Sequence, residues 1–353
     1  MIVKTHFAYL TLITTLASCV ILTTSFSSYT NLSHTLNYTA LGFKATPPLP
    51  TSKQLSNNQT NGNATNEYTF VRKWGSSGTG DGQFKNLADV ALDSSNNVFV
   101  TDFSNNRVQK FDSNGKFITK WGSNGTGDGQ FYLPEGLAVD SSENVYVTDS
   151  NNDRVQKFDS NGKFITKWGS TGTGDGQFDD PYNIAVDSSG NVYVTNYNND
   201  IIQKFDSNGK FITKWWLPGT GGVEYSKGLA VDSYGNVYVV DPNLSSIEKF
   251  SGDGKFITKW GGSNGHGNGQ FMSPTGVSLD SSGNVYVTDS NNDRVQKFDS
   301  NGKFITKWGS TGTGDGQFKG PYNIAVNSSG NVYVTDSGNS RIQVFAPSNN
   351  TSR

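Results

Sequence analysis

The amino-acid sequence predicts an all-β fold, a β-propeller of six blades with four antiparallel strands in each blade. Three observations predict this fold: tryptophans that recur at a nearly constant interval, four strand-like segments within each interval, and a polar, glycine-rich composition typical of many turns. Residues 144–178 and 284–318 are identical, so the interval is a true internal repeat. The recurring tryptophans, spaced 45 to 48 residues apart, are Trp74, Trp121, Trp168, Trp215, Trp260 and Trp308.

One repeat divides into four short segments with the composition of β-strands. They are "GLAVD" (136–140), "VYVTD" (145–149), "RVQKFD" (154–159) and "KFITKWG" (163–169). The turns between them contain Asp, Ser, Asn and Gly, which is typical of antiparallel hairpins. No segment of the repeat has a helical period of useful length. A repeat of this length with four strands is typical of a propeller blade.

The number of strands predicts how the ring closes. First, second and third strands each occur six times, but a fourth strand following a third occurs only five times. The segment 67–75, "EYTFVRKWG", has Phe70 and Trp74 at the positions that Phe117 and Trp121 occupy in a fourth strand. We therefore expect residues 67–75 to form the outer strand of blade six, which would leave no unpaired sheet edge.

The residues before the repeats predict export. Residues 1–26 contain an apolar run with a single lysine, which is typical of a signal peptide or a membrane anchor. Cys19 lies in "LASC", a sequence that resembles a lipidation site. Residues 27–66 are rich in Ser, Thr and Asn and predict a disordered spacer, the propeller is expected over 67–347, and residues 348–353 form a tail. The spacer contains four candidate glycosylation sites: Asn31, Asn37, Asn58 and Asn63.

Composition limits the classes of function. The net charge of −2 gives no general attraction to nucleic acid, and export would separate the chain from most RNA. Only three histidines and one cysteine are present, so we expect no histidine-rich metal site and no cofactor. The loop "GSTGTGDGQF" (169–178) is rich in glycine, but no helix and no Gly-Lys-Ser/Thr follow it, as a phosphate loop requires. We expect such loops to connect blades.

The repeat "GLAVDSSENVYVTDSNNDRVQKFDSNGKFITKWG" resembles the NHL repeat. The resemblance covers about 280 residues, and it implies a six-bladed β-propeller. Members of that family include extracellular sensor and adhesion-type domains, lyases and lactonases with a metal in the central channel, and RNA-binding propellers. The fold alone does not choose among these functions.

An acidic residue ends most second strands, and an arginine follows it five positions later. The pairs are Asp102 with Arg107, Asp149 with Arg154, Asp289 with Arg294, and Asp336 with Arg341. One interpretation is a structural ion pair that stabilises the turn between the second and third strands. The alternative is a ring of charges that binds a ligand on one face.

Blades three and four depart from the repeat, and we interpret this departure as a candidate binding site. Blade three has Asn196 and Ile201 in place of the ion pair, and blade four has Ser246 in place of the arginine. The candidate binding residues in this part of the chain are Tyr197, Trp216, Glu224, Tyr225 and Lys227. No catalytic set of Ser, His and Asp can be drawn, and a single loop histidine, His266, is more often structural than catalytic.

The sequence favours a binding function for an exported, cell-surface-tethered monomer. The expected ligand is a protein, a peptide or a glycan, bound on the face with the loops between second and third strands and the loops between blades. Nucleic acid is not expected as a partner, and the membrane is expected to be contacted only through the N-terminal anchor. The alternative is a propeller hydrolase or lyase with a metal in the central channel.

Overall fold

The computed structural model describes residues 68–217 and 228–348, and this part of the chain consists of strands, short 3-10 turns and loops. The strands form six four-stranded antiparallel sheets. The first strands of neighbouring sheets contact one another around a central channel, so the sheets are the blades of a closed ring. The predicted six-bladed propeller is confirmed. No helix within the described residues combines the length and the apolar character that crossing a membrane requires.

The four strands of a blade run in order from the channel to the outer rim. The first strands are Leu87–Leu92, Pro134–Val139, Pro181–Val186, Leu229–Val231, Pro274–Leu279 and Pro321–Val326. The second strands are Val98–Asp102, Val145–Asp149, Val192–Asn196, Val237–Asp241, Val285–Asp289 and Val332–Asp336. The third strands are Arg107–Phe111, Arg154–Phe158, Ile201–Phe205, Ser246–Phe250, Arg294–Phe298 and Arg341–Pro347. The fourth strands are Phe117–Trp121, Phe164–Trp168, Phe211–Trp216, Phe256–Gly261, Phe304–Trp308 and, for blade six, Tyr68–Trp74.

Short 3-10 turns join second to third strands in five blades, each followed by a residue with a left-handed backbone. They are Phe103–Asn105, Ser150–Asn152, Tyr197–Asn199, Ser290–Asn292 and Ser337–Asn339. A two-residue parallel pair, Ser76–Ser77 with Gln83–Phe84, lies in the loop that enters blade one. Equivalent single bridges occur in four other loops.

The ring closes through a strand from the other end of the repeat region. Tyr68–Trp74 pairs antiparallel with Arg341–Pro347, with Phe70 opposite Phe345 and Trp74 opposite Ile342. The bulge beside Phe70 has counterparts between third and fourth strands elsewhere, for example beside Phe111. The prediction that an N-terminal strand completes blade six is confirmed.

The core lies between blades, and its burial follows the depth of each strand. The second strand Val98–Asp102 is completely buried because another blade packs on each of its faces. The outer strand Phe117–Trp121 instead alternates between partly buried and exposed residues. One phenylalanine from each repeated interblade loop is fully buried in these cores: Phe84, Phe131, Phe178, Phe271 and Phe318.

Candidate functional site: the loop face of blades three and four

One face of the ring carries both kinds of loop, and we call it the loop face: the turns between second and third strands and the loops between blades. In blade one, Phe103 N donates to Asn86 O at 3.1 Å. Lys85 N donates to Asp102 Oδ1 at 2.8 Å. These bonds join the interblade loop to the end of the second strand. Any departure from the repeat in either kind of loop therefore appears on the same face.

The repeated Asp–Arg pair stabilises this junction in four blades. In blade one, Arg107 Nε donates to Asp102 Oδ2 at 2.7 Å. Its terminal nitrogens donate to the carbonyl oxygens of Thr79, Gly80 and Gln83, at 2.7 to 2.8 Å. The same pattern recurs with Arg154, Arg294 and Arg341.

These arginines are directed into the protein. Arg107 is 7% exposed and the carboxylate of Asp102 is fully buried. Because the guanidinium bonds one carboxylate and three loop carbonyls, its hydrogen-bonding capacity is used within the fold. We call this arrangement the arginine clamp, and it fixes each interblade loop against the turn of the same blade.

Blade three contains a neutral version of the clamp. Asn196 replaces the acid and Ile201 replaces the arginine, and both side chains are buried. Asn196 Oδ1 still accepts a hydrogen bond from Asp179 N at 2.8 Å. Its Nδ2 has no hydrogen-bond partner among the described residues. Both charges are thus absent together.

Blade four removes the cation and keeps the acid. Ser246 replaces the arginine, and Glu248 stands where the other blades have glutamine. Asp241 Oδ2 and Ser246 Oγ are buried without a hydrogen-bond partner in the described part of the chain. Lys259 Nζ lies 3.1 Å from Glu248 Oε1. Burial raises the pKa of Glu248, although Lys259 opposes that shift. Blade four therefore has two buried acidic side chains, Asp241 and Glu248, and lacks the arginine of the clamp.

We call the loss of the arginine clamp in blades three and four the break. Two of the candidate binding aromatics lie on described strands or turns near it. Tyr197 begins the 3-10 turn of blade three and stacks on Tyr182, with ring centroids 5.0 Å apart. Trp216 ends the fourth strand of the same blade and is 66% exposed. Its neighbour Leu217 is buried. The other candidates, Glu224, Tyr225 and Lys227, lie outside the described residues.

A ring of dissimilar side chains at the channel mouth was not singled out from the sequence. It occupies the position that is Ala88, Glu135, Tyr182, Thr275 or Tyr322, the second residue of the first strand, in blades one, two, three, five and six. The equivalent residue of blade four, Lys227, lies outside the described residues. The hydroxyl groups of Tyr182 and Tyr322 contact each other across the channel. Burial raises the pKa of Tyr322 well above its usual range, with Glu135 and Asp89 adding to the shift. Aligning the first strands would have shown that this position varies.

The next residue inward is Asp89 in blade one, and its carboxylate is buried. It accepts hydrogen bonds from Val90 N at 2.7 Å and Leu137 N at 2.8 Å. Burial raises the pKa of Asp89 to about 7, although the bonds from these amides and from Asn323 oppose the shift. Blades three and six have Asn183 and Asn323 at this position, and each Oδ1 accepts the following backbone N–H.

The oxygen atoms at this level of the channel do not fit a resident metal ion. Each of the three side chains already uses an oxygen to accept a backbone N–H, and Asp89 uses both. Within residues 68–217 and 228–348, no group of three or more His, Cys, Asp and Glu side chains could hold a metal. Cys19 and the candidate glycosylation sites Asn31, Asn37, Asn58 and Asn63 lie outside the described residues.

The fold and the repeated clamp together define a six-bladed β-propeller built from one recurring blade. The family model described as "NHL repeat" matches residues 84–111, 131–158, 271–298 and 318–345. The chain therefore contains four NHL repeats within a six-bladed β-propeller. No curated protein matches the sequence.

Solved structures resemble this propeller in fold at low sequence identity. A Bacteroides thetaiotaomicron protein of unknown function shares 20% identity, with a TM-score of 0.61, over 79% of this chain and 75% of its own. A virginiamycin B lyase from Staphylococcus aureus shares 13% identity, with a TM-score of 0.55, over 79% and 98%. A gluconolactonase from Xanthomonas campestris shares 14% identity, with a TM-score of 0.56, over 75% and 87%. At these identities, the likeness concerns the fold alone.

Proposed function

We propose that the chain is an exported, cell-surface-tethered binding module whose loop face binds a protein, peptide or glycan over blades three and four. The single observation that supports this proposal is the loss of the arginine clamp in these two adjacent blades, while the other four keep it. A change that served only stability would restore internal hydrogen bonding. The substituted positions themselves instead have buried polar atoms without partners among the described residues: Asn196 Nδ2, Asp241 Oδ2 and Ser246 Oγ.

The exposed aromatic surface beside the break supports the same location. Trp216 follows the repeated Trp215 and has no counterpart in the other described fourth strands. Its exposure of 66% is the largest of any described tryptophan. Exposed aromatic side chains on a rigid scaffold contribute strongly to binding, because they bury a large area with little loss of conformational entropy.

The proposal is tested by affinity capture with the full-length protein and the envelope fraction of its own organism. A variant with Tyr197→Ala, Trp216→Ala and Tyr225→Ala should lose the partners that the wild-type protein captures. A matched control combines Tyr132→Ala, in the loop that enters blade two, with Tyr234→Ala, in the turn between the first and second strands of blade four on the opposite face. If the triple variant captures every partner as the wild type does, blades three and four are not the binding surface.

Export is a separate part of the proposal, and it rests on the apolar run in residues 1–26. A protease added to intact cells should digest the propeller if it lies on the outer surface. Protection in intact cells together with digestion after lysis would show that the chain is not exposed outside.

The alternative function is that of an enzyme with its site in the channel, and two of the structural neighbours are enzymes, a lyase and a gluconolactonase. The observation in its favour is Asp89, a buried channel carboxyl whose pKa is raised to about 7, as general acids and bases often are. The metal-dependent form of this alternative has less support, because the channel oxygens already accept backbone hydrogen bonds. Metal analysis of the protein purified without chelators tests it: a stoichiometric divalent ion would favour the enzyme.

A further inference from the structure

A second repeated ion pair fixes the fourth strand to the loop that enters the blade in blades one, two, three and six. Lys120 Nζ lies 2.6 Å from Asp81 Oδ1, and Lys73 Nζ lies 2.7 Å from Asp315 Oδ1. The pairs Lys167 with Asp128 and Lys214 with Asp175 repeat the contact at 2.7 and 2.9 Å. Each loop aspartate therefore neutralises the lysine of the following fourth strand.

Blade five lacks this aspartate and keeps the lysine. Its loop reads "GHGNGQF", so that Asn268 replaces the aspartate and His266 replaces a threonine found in most other copies. Lys307, the lysine of the following strand, forms no ion pair with the described residues. The substitution leaves one uncompensated positive charge on the outer rim.

A cavity of about 750 Å³ lies beside this lysine, between the fourth strands of blades five and six. This volume falls within the range of small-molecule sites in proteins. The cavity walls include Lys307, His266 and Ser310 as polar groups, and Trp308 and Phe70 as aromatic ones. Asp315 also lines the cavity, and its carboxylate is paired with Lys73 at 2.7 Å. We call it the rim cavity.

The hydrogen bonds around His266 determine which nitrogen of its ring can accept a hydrogen bond from a ligand. His266 Nδ1 lies 2.6 Å from Asn292 Oδ1. Asn292 Nδ2 donates to Asp289 Oδ2 and to Gly265 O, so Oδ1 is the acceptor end of this amide. His266 Nδ1 must therefore carry a proton, and the neutral ring leaves Nε2 as an acceptor for a hydroxyl group.

Among the described residues that line the rim cavity, one positively charged side chain has no ion pair. Arg294 also lines the cavity, but its Nε donates to Asp289 and its terminal nitrogens donate to the carbonyls of His266, Gly267 and Gln270. Lys307 is therefore the cation available to a ligand. Burial and the nearby Arg294 lower the pKa of Lys307 because they disfavour its charged form. A bound anion would favour the charged form and offset this effect.

We propose that the rim cavity binds the carboxylate of an acidic saccharide, with Lys307 pairing the carboxylate and His266 and Ser310 contacting sugar hydroxyls. One ammonium group carries a single positive charge, which matches a singly charged carboxylate better than a phosphate group with a charge of about −1.5 to −2. Neutral hydrogen-bonding side chains beside an aromatic wall suit the hydroxyls and the apolar C–H face of a sugar ring. This site is on blades five and six, and it does not depend on the surface proposed for blades three and four.

Calorimetric titration of the full-length protein with D-glucuronate and with a galacturonate trimer tests the proposal. The wild-type protein should bind at least one of these acidic sugars saturably. Asn268→Asp, which rebuilds the ion pair present in four other blades, should weaken binding about tenfold or more. Lys307→Gln should have a similar effect, and the matched control Lys120→Gln, which removes a paired lysine in blade one, should leave binding unchanged.

Three results would overturn the proposal. The first is the absence of saturable binding of either acidic sugar to the wild-type protein. The second is equal binding of glucose, or tighter binding of glucose 6-phosphate, which would contradict recognition of a carboxylate. The third is unchanged binding in both Asn268→Asp and Lys307→Gln, which would place the sugar elsewhere. Both substitutions are at exposed positions, and thermal unfolding confirms that each variant is folded before titration.

Discussion

Tyr68 stacks on Trp308 across the closure of the ring, with ring centroids 4.3 Å apart and ring planes 17° from parallel. At the other five interfaces, a glycine of the turn between third and fourth strands covers the equivalent tryptophan. A Cβ atom at Gly162 would lie 2.5 Å from Trp121 Cδ2, for example. Blade six has no such turn because its fourth strand comes from the start of the repeat region, and the ring of Tyr68 occupies the space.

We expect Tyr68→Ala to destabilise the propeller by about 3–5 kcal/mol, since it removes a buried aromatic ring at the closure. Tyr68→Phe should cost about 1 kcal/mol, because the hydroxyl lies 2.7 Å from that of Tyr286. Urea unfolding monitored by circular dichroism measures both. Val71→Ala, at an exposed position of the same strand, serves as the control and should change stability by less than about 0.5 kcal/mol.

Deleting residues 67–75 should have a larger effect than any single substitution. The deletion leaves Arg341–Pro347 as an unpaired edge, because that strand loses its only neighbour on the outer side. Exposed strand edges promote association between chains. Light scattering should show aggregation at concentrations at which the wild-type protein remains monodisperse. A deleted protein that stays monodisperse and melts at the wild-type temperature would contradict this role of the closure strand.

Removing one charge of the arginine clamp should destabilise the propeller more than removing both, and blade three has the neutral arrangement. Arg154→Ile should cost about 3–5 kcal/mol, because it leaves the buried carboxylate of Asp149 without its cation. Adding Asp149→Asn reproduces the neutral pair Asn196 and Ile201, and should recover at least about 1 kcal/mol of that loss. Equilibrium unfolding of the two variants measures the recovery. A double variant less stable than Arg154→Ile would show that the two charges are not coupled.

The contribution of the contact between glycine and tryptophan to stability can be measured separately from the contribution of backbone strain. Gly162 and Gly235 both have a φ near +80°, but a Cβ at Gly235 would meet no atom within 4 Å. Gly235→Ala should therefore cost about 1 kcal/mol, from strain alone. Gly162→Ala should cost roughly 1–3 kcal/mol more, since the methyl group would overlap Trp121. Equal losses of stability in the two variants would show that the tryptophan moves aside easily.

The contribution of Asp89 to the stability of the propeller should fall as the pH rises. Its pKa is raised from 3.8 to about 7 in the folded protein, so the folded state holds a proton that the unfolded state has lost between these values. The contribution of Asp89 to stability therefore falls as the pH rises from about 4 to about 7, and it is constant outside that window. Above pH 7 the folded carboxyl is also ionised, and the full penalty of burying it applies.

Comparison with Asp89→Asn isolates this contribution from that of other groups. The stability of the variant relative to the wild type should rise by up to about 4 kcal/mol between pH 4 and pH 7. Urea unfolding at intervals of half a pH unit measures the change. A relative stability independent of pH would show that the carboxyl ionises at its ordinary pKa in the folded protein.

The sequence predicted the elements of the fold well because the blade is local and repeated. Strand-length segments such as "VYVTD" and the turns between them depend on neighbouring residues, and six copies of the pattern reduce the ambiguity of any one. The boundaries were less accurate. The first strand expected to begin at Gly136 begins at Pro134, because pairing with the second strand extends beyond the apolar run.

The candidate site was predictable only in part. Asn196, Ile201 and Ser246 stand out when the repeats are compared, so the break in blades three and four was visible before the structure. The rim cavity was not, although Asn268 and His266 were visible as substitutions. Their effect depends on Lys307, a residue 39 positions after Asn268, which meets that loop only because the blade folds back on itself.

By itself, the sequence determined the number of blades, the order of strands within each blade and the strand that closes the ring, since hairpin pairing and hydrophobic alternation are properties of short segments. Only the tertiary structure decided which side chains meet across the ring. Tyr182 and Tyr322 are 140 residues apart and touch over the channel. Tyr68 and Trp308 are also distant in the chain and stack at the closure. Such contacts follow from the closed geometry of six blades, and no local pattern of residues specifies them.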